Sequence, residues 1–141
     1  VTEYQIREAA EAGADAVLLM ACLLTPGSLA RLLRLARTVG LDALVETHDD
    51  GELAEALDAG ADVVGVNSRD LRTLAIDLPA MHRRLDRVPC DRVRVAESGL
   101  LTAADVAAVR DRADAALIGT SIMRAHDPAA AIQALGFRPC R

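Results

Sequence analysis

Five times along the 141-residue chain a helix-patterned segment ends at a break and is followed by a short run of Val, Leu, Ile and Ala. In TEYQIREAAEAGADAVLLMA, apolar residues recur at helical spacing, Gly13 stops the helix, and Ala16 to Met20 is an apolar run of strand length. LARLLRLARTVGLDALVETH, DGELAEALDAGADVVGVNSRD, DLPAMHRRLDRVPCDRVRVAESG and TAADVAAVRDRADAALIGTS repeat the plan at a period of about 20 to 30 residues. A strand apolar on both faces cannot lie half in water. It requires a parallel sheet whose crossover helices cover it. The expectation is a single α/β domain over residues 1–141, with five parallel strands near 16–20, 42–46, 62–66, 93–97 and 115–119, alternating with about six helices. Helix starts are marked by Thr25 before Pro26, Asp49 with Glu52, Thr102 with Asp105, and Asp127 before Pro128.

Composition narrows the partners. The chain is 52% hydrophobic, enough for a core, and its 21 acidic residues outnumber 16 basic ones, so no basic footprint points to nucleic acid or an anionic membrane. All 16 basic residues are arginine; there is no lysine. Cys22, Cys90 and Cys140 lack any CxxC or Cys/His spacing, which predicts no metal site and fits a reducing cytosol. No apolar run reaches the roughly 18 to 20 residues of a membrane helix, and the chain opens on Val-Thr-Glu rather than a leader, so a cytoplasmic protein is expected. Tyr4 and Phe137 are the only aromatics, too few to build a ring-stacking pocket from this chain.

In a parallel β/α fold, ligands bind at the carboxyl ends of the strands, where loops converge and helix N-termini point their free N–H groups. Those ends read Met20-Ala21-Cys22, Glu46-Thr47-His48, Asn67-Ser68-Arg69-Asp70, Glu97-Ser98-Gly99 and Gly119-Thr120-Ser121. The opposite ends are mostly Gly-Ala-Asp turns, which read as stability features. Two carboxylates, an amide and a guanidinium on one rim suit proton transfer, one carboxylate serving as base while a neighbour balances positive charge. Taken singly, each is equally a solvated strand end or a salt-bridge partner. The small residues after the last two strands serve either as turn formers or as a phosphate cradle. His48 reads as a satisfied rim histidine, His82 and His126 as solvated, and Asp70 and Arg72 as loop charges.

DALVETHDDGEL, GADVVGVNSRDLRTL, VRVAESGLLTAADV and ALIGTSIMRAHDP, in this order and spacing, resemble the indole-3-glycerol phosphate synthase family over nearly the whole chain. The resemblance implies a partial (β/α)8 TIM barrel and a lyase of tryptophan biosynthesis. That enzyme closes the ring of a carboxyphenylamino-deoxyribulose 5-phosphate with loss of carbon dioxide and water, using no cofactor and no metal. Carried over by motif, Glu46 is the general base for dehydration, and Asn67, Glu97 and Ser98 contact the substrate's carboxylate and hydroxyls. Arg69 orders the carboxylates. Gly99, Gly119 and Thr120 hold the phosphate. Ring closure leaves an iminium-like cation that carboxylates stabilise, so decarboxylation needs no separate electron sink. VNSRDL disfavours two other phosphate-binding barrels of the pathway, phosphoribosylanthranilate isomerase and the tryptophan synthase α subunit.

A TIM barrel needs eight strands and about 250 residues. Aligned on its motifs, the chain corresponds to strands 4 to 8, beginning in the helix after the third strand. The family's general-acid lysine falls at the end of that third strand, and a second, phosphate-side lysine earlier still. The expected partners are therefore a small phosphorylated substrate and a missing N-terminal barrel fragment, or a second copy paired through the open sheet edges. The isolated chain is expected to be inactive. The alternative is a non-catalytic remnant that binds phosphorylated ligands or pairs with a partner fragment.

Overall fold

The computed structural model describes residues 2–136, so Phe137 and Cys140 lie outside the described residues. The elements run α1 (Glu3–Glu11), β1 (Ala16–Met20), a 3-10 turn (Ala21–Leu23), α2 (Pro26–Thr38), β2 (Asp42–Thr47), α3 (Asp50–Asp58) and β3 (Val63–Asn67). They continue with α4 (Leu78–Leu85), β4 (Val93–Glu97), α5 (Ala103–Val109), β5 (Ala115–Leu117), α6 (Thr120–Met123) and α7 (Pro128–Ala134). The five strands form one parallel sheet in chain order, β1-β2-β3-β4-β5. The register sets Met20 beside Glu46, Glu46 beside Gly65, Gly65 beside Val95, and Asn67 beside Glu97.

The expected helix starts are all present. Thr25 and Asp49 accept from Ser28 and Glu52 N–H, Thr102 and Asp105 close a reciprocal capping box, and Asp127 caps Pro128–Ala134. Each such cap contributes about 1 kcal/mol by satisfying an otherwise unpaired N–H. Two expectations need adjusting. The last strand ends at Leu117 rather than 119, because Gly119 turns to helical backbone and opens α6. That four-residue helix has no side-chain cap and no hydrophobic period to announce it, so the described residues hold seven α-helices where about six were expected.

Period-two alternation divides the sheet into two unlike faces. Leu19, Val45, Val64, Val66 and Ala96 are fully buried against helix residues such as Ile6, Leu29, Leu53 and Met81. Burial of each such aliphatic side chain is worth about 1.5–3 kcal/mol, so this layer carries the fold. The other face leaves Leu18, Val93 and Leu117 exposed at 44%, 45% and 48%. At the amino ends of the strands, Asp62 pairs with both Arg37 and Arg92, and Asp114 grips Arg94 with both oxygens. Those pairs tie neighbouring crossovers together and leave the carboxyl ends free for chemistry.

Candidate active site

Glu46, Asn67 and Glu97 project from the carboxyl ends of β2, β3 and β4 on the face turned away from the helices. All three are buried, at 7%, 8% and 2% exposure. Asn67 Nδ2 donates to Glu46 Oε1 at 2.9 Å, and Asn67 Oδ1 accepts the Arg69 N–H at 2.9 Å, so the amide is fixed from both ends. Glu97 sits against Glu46, while its Oε1 is buried with no hydrogen-bond partner. Burial first, and then the neighbouring Glu46 carboxylate, push the Glu97 carboxyl up to about 8. Glu97 thus holds its proton at neutral pH, and the pair presents one acid and one potential base.

The room for Glu97 comes from Gly65. A Cβ at Gly65 would overlap Glu97 Oε1 and lie 2.9 Å from its carboxyl carbon. Glycine inside a strand marks close approach, and VVGVN carries that signal. His48, expected to be a satisfied rim histidine, is satisfied at one ring nitrogen only. Nδ1 lies 3.1 Å from Glu52 Oε2, which also accepts the His48 N–H at 2.7 Å. Nε2 lies 2.9 Å from Glu46 Oε1, in contact but outside hydrogen-bond alignment. His126 is exposed as expected. His82 is not solvated: it is half-buried on α4 with Nε2 enclosed and unpartnered.

The other five expected site residues converge on a second feature. Arg69, Ser98, Gly99, Gly119 and Thr120 line one cavity of about 210 Å³ at the ends of β4 and β5. Ser98 and Gly99 both take left-handed backbone, with φ of 65° and 72°. The serine is strained there. At Gly99 a Cβ would press on Ile76, Leu78 and Ser68 at 2.7 to 2.9 Å. Ser121, also on the cavity wall, keeps its hydroxyl buried and unpartnered, a donor left for a ligand. Arg69 differs from expectation in its contacts. A bridge to Ile76 turns its chain into the loop, where the guanidinium donates to the Leu74 carbonyl at 3.4 Å, and it makes no ion pair with Glu46 or Glu97 among the described residues. Asp70, read as a loop charge, organises that loop by accepting the Arg72 and Thr73 N–H groups at 2.8 Å each, bonds that hold its carboxyl below the usual range.

Known proteins share both the architecture and the sequence. A 3-hexulose-6-phosphate synthase superposes with a TM-score of 0.77 at 22% identity, covering 94% of this chain and 66% of the other. A thiamine phosphate pyrophosphorylase from Pyrococcus furiosus superposes at 0.73 with 20% identity, covering 93% of this chain and 62% of that one. These establish a partial TIM-barrel fold. In sequence, indole-3-glycerol phosphate synthase 2 of Streptomyces coelicolor is 49% identical over 136 residues, 96% of this chain and 53% of that protein. Indole-3-glycerol phosphate synthase of a Nocardioides species is 47% identical over 134 residues, 94% of this chain and 52% of that protein. The chain thus spans about half the length of the curated relatives it matches. The family model for indole-3-glycerol phosphate synthase matches residues 1–135, and the chain belongs to that family.

Proposed function

We propose that this chain supplies the base side and the phosphate side of an indole-3-glycerol phosphate synthase, acting in the cytoplasm together with the barrel strands it does not contain. The observation that carries the reading is the pairing of a buried acid–base cluster, Glu46–Asn67–Glu97, with a cavity that gathers Arg69, Ser98, Gly99, Gly119 and Thr120. The substrate is a carboxyphenylamino-deoxyribulose 5-phosphate. Its phosphate enters the cavity, where backbone N–H groups, the Ser121 hydroxyl and the Arg69 guanidinium offer donors. Its carboxylate and hydroxyls meet Asn67, the Glu97 acid and Ser98. Glu46 removes the proton whose loss restores aromaticity after ring closure and decarboxylation, and the amide of Asn67 keeps it aimed. The general-acid lysine that the family resemblance implies is not among the residues of this lysine-free chain.

Mixing the chain with a fragment carrying the first three βα units, and assaying indole-3-glycerol phosphate, tests the reading. Activity is expected only in the mixture, with a loss of at least about 100-fold for Glu46→Gln, the scale of a general base. Complementation unaffected by that substitution would refute the role of Glu46. The absence of lysine favours a second reading, a non-catalytic remnant that binds phosphorylated ligands. Saturable binding of a sugar phosphate without activity in the mixture would identify it.

A further inference from the structure

Beside the carboxylate cluster, the fold brings Cys22 against His48 and Glu52, an i,i+4 pair at the β2–α3 junction. Cys22 sits in the 3-10 turn after β1, His48 just past β2, and Glu52 in the first turn of α3. One ligating atom from each lies within 4.8 Å of the others. We propose that Cys22, His48 and Glu52 bind a thiophilic divalent cation of the Zn²⁺ class. Zinc bonds of about 2.0–2.3 Å to sulfur, nitrogen and oxygen in a tetrahedron place ligand atoms about 3.3–3.7 Å apart. The His48 Nδ1 to Glu52 Oε2 separation of 3.1 Å is already near that spacing. Closing the remaining gap requires Cys22, the exposed member, to turn its side chain toward the pair.

Three further features fit a cation here. Glu52 is pre-oriented, because its Oε2 accepts the His48 backbone N–H at 2.7 Å. With Nδ1 on the metal, His48 Nε2 lies 2.9 Å from Glu46 Oε1, outside hydrogen-bond alignment in this structure, and a small turn of the ring would give the carboxylate–histidine–metal arrangement that fixes the tautomer and raises ligand basicity. The cluster also opens on a cavity of about 620 Å³ lined by Asp49, Asp70 and Asp77 as well as Arg72 and Arg84, with room for a fourth ligand such as water. Burial, followed by the carboxylates of Glu52, Glu46 and Asp49, raises the Cys22 thiol above its ordinary value. The same negative field attracts a cation, and a bound cation displaces the thiol proton. The sequence alone predicts no metal because Cys22 follows β1, in a different connection from the His48–Glu52 pair after β2. Binding at this site couples to the proposed base through His48, but it does not depend on the proposed reaction.

The test is a Co²⁺ titration of the tag-free chain, followed by Zn²⁺ competition. A thiolate-to-cobalt charge-transfer band should saturate at one equivalent and be displaced by Zn²⁺. Cys22→Ser should abolish the band and Cys90→Ser should keep it. His48→Gln should weaken binding more than tenfold, and Glu46→Gln, which removes only the carboxylate behind the histidine, about tenfold. Circular dichroism of each variant separates lost binding from lost folding. No band in the parent chain, a band that survives Cys22→Ser, or unchanged affinity in a folded His48→Gln chain would overturn the site. None of these readouts involves catalysis, so their failure leaves the proposed function standing, and the reverse also holds.

Discussion

Glu97 is a carboxyl that the fold keeps protonated, and this makes stability depend on pH in an unusual direction. In the unfolded chain it ionises near the ordinary 4.5, whereas in the folded chain it does so at about 8. Its contribution is therefore whole below the unfolded value and is lost as pH rises through the folded one. Urea unfolding should show stability falling between about pH 5 and 8, and Glu97→Gln, which keeps a donor without a charge, should remove that slope. Gly65→Ala should displace the same side chain and cost about 1–3 kcal/mol in denaturant midpoint, since a methyl group there overlaps a buried carboxylate. Single residues were legible where a motif named them: Glu46, Asn67 and Glu97 do meet. Gly65, His48 and Glu52 were missed as site residues because their roles arise between strands, and a linear pattern shows only what lies along one.

At the scale of elements, the strands were readable because burial on both sides leaves an unbroken apolar run, as in DVVGVN. Helix starts were readable because caps are local chemistry. What the pattern could not show is geometry without hydrophobic period, such as α6 or the loop between β3 and α4. That loop is the element through which Arg69 reaches the cavity at the ends of β4 and β5, and one Asp70 oxygen holds two of its N–H groups. Asp70→Ala should cost about 1–2 kcal/mol and speed amide exchange at Arg72 and Thr73, whereas Asp70→Asn, which keeps an accepting oxygen, should retain most of both. Sugar-phosphate affinity should fall in the alanine variant more than in the asparagine one, because the loop and not the charge positions Arg69.

For the whole molecule, the decisive fact is that, among the described residues, helices cover one face of the sheet and not the other. The other carries Leu18, Val93 and Leu117, each more than two-fifths exposed, and among the described residues β1 and β5 each lack a neighbour on one side. Apolar side chains beside an unpaired strand edge favour pairing with another chain. In a closed barrel of eight strands this face is packed by residues from the opposite strands, so a chain contributing five should bind either the complementary strands or itself. These outcomes compete for one surface, which makes them separable. Sedimentation of the chain alone should give a mass that rises with concentration. Adding a fragment with the three preceding βα units should convert it to a single heterodimeric species with a higher unfolding midpoint. Leu18→Arg with Leu117→Arg should weaken both associations by at least tenfold, about 1.4 kcal/mol, because each buries these leucines. A chain that stays monomeric at every concentration, or a double variant that associates as before, would show that the uncovered face is not the interface.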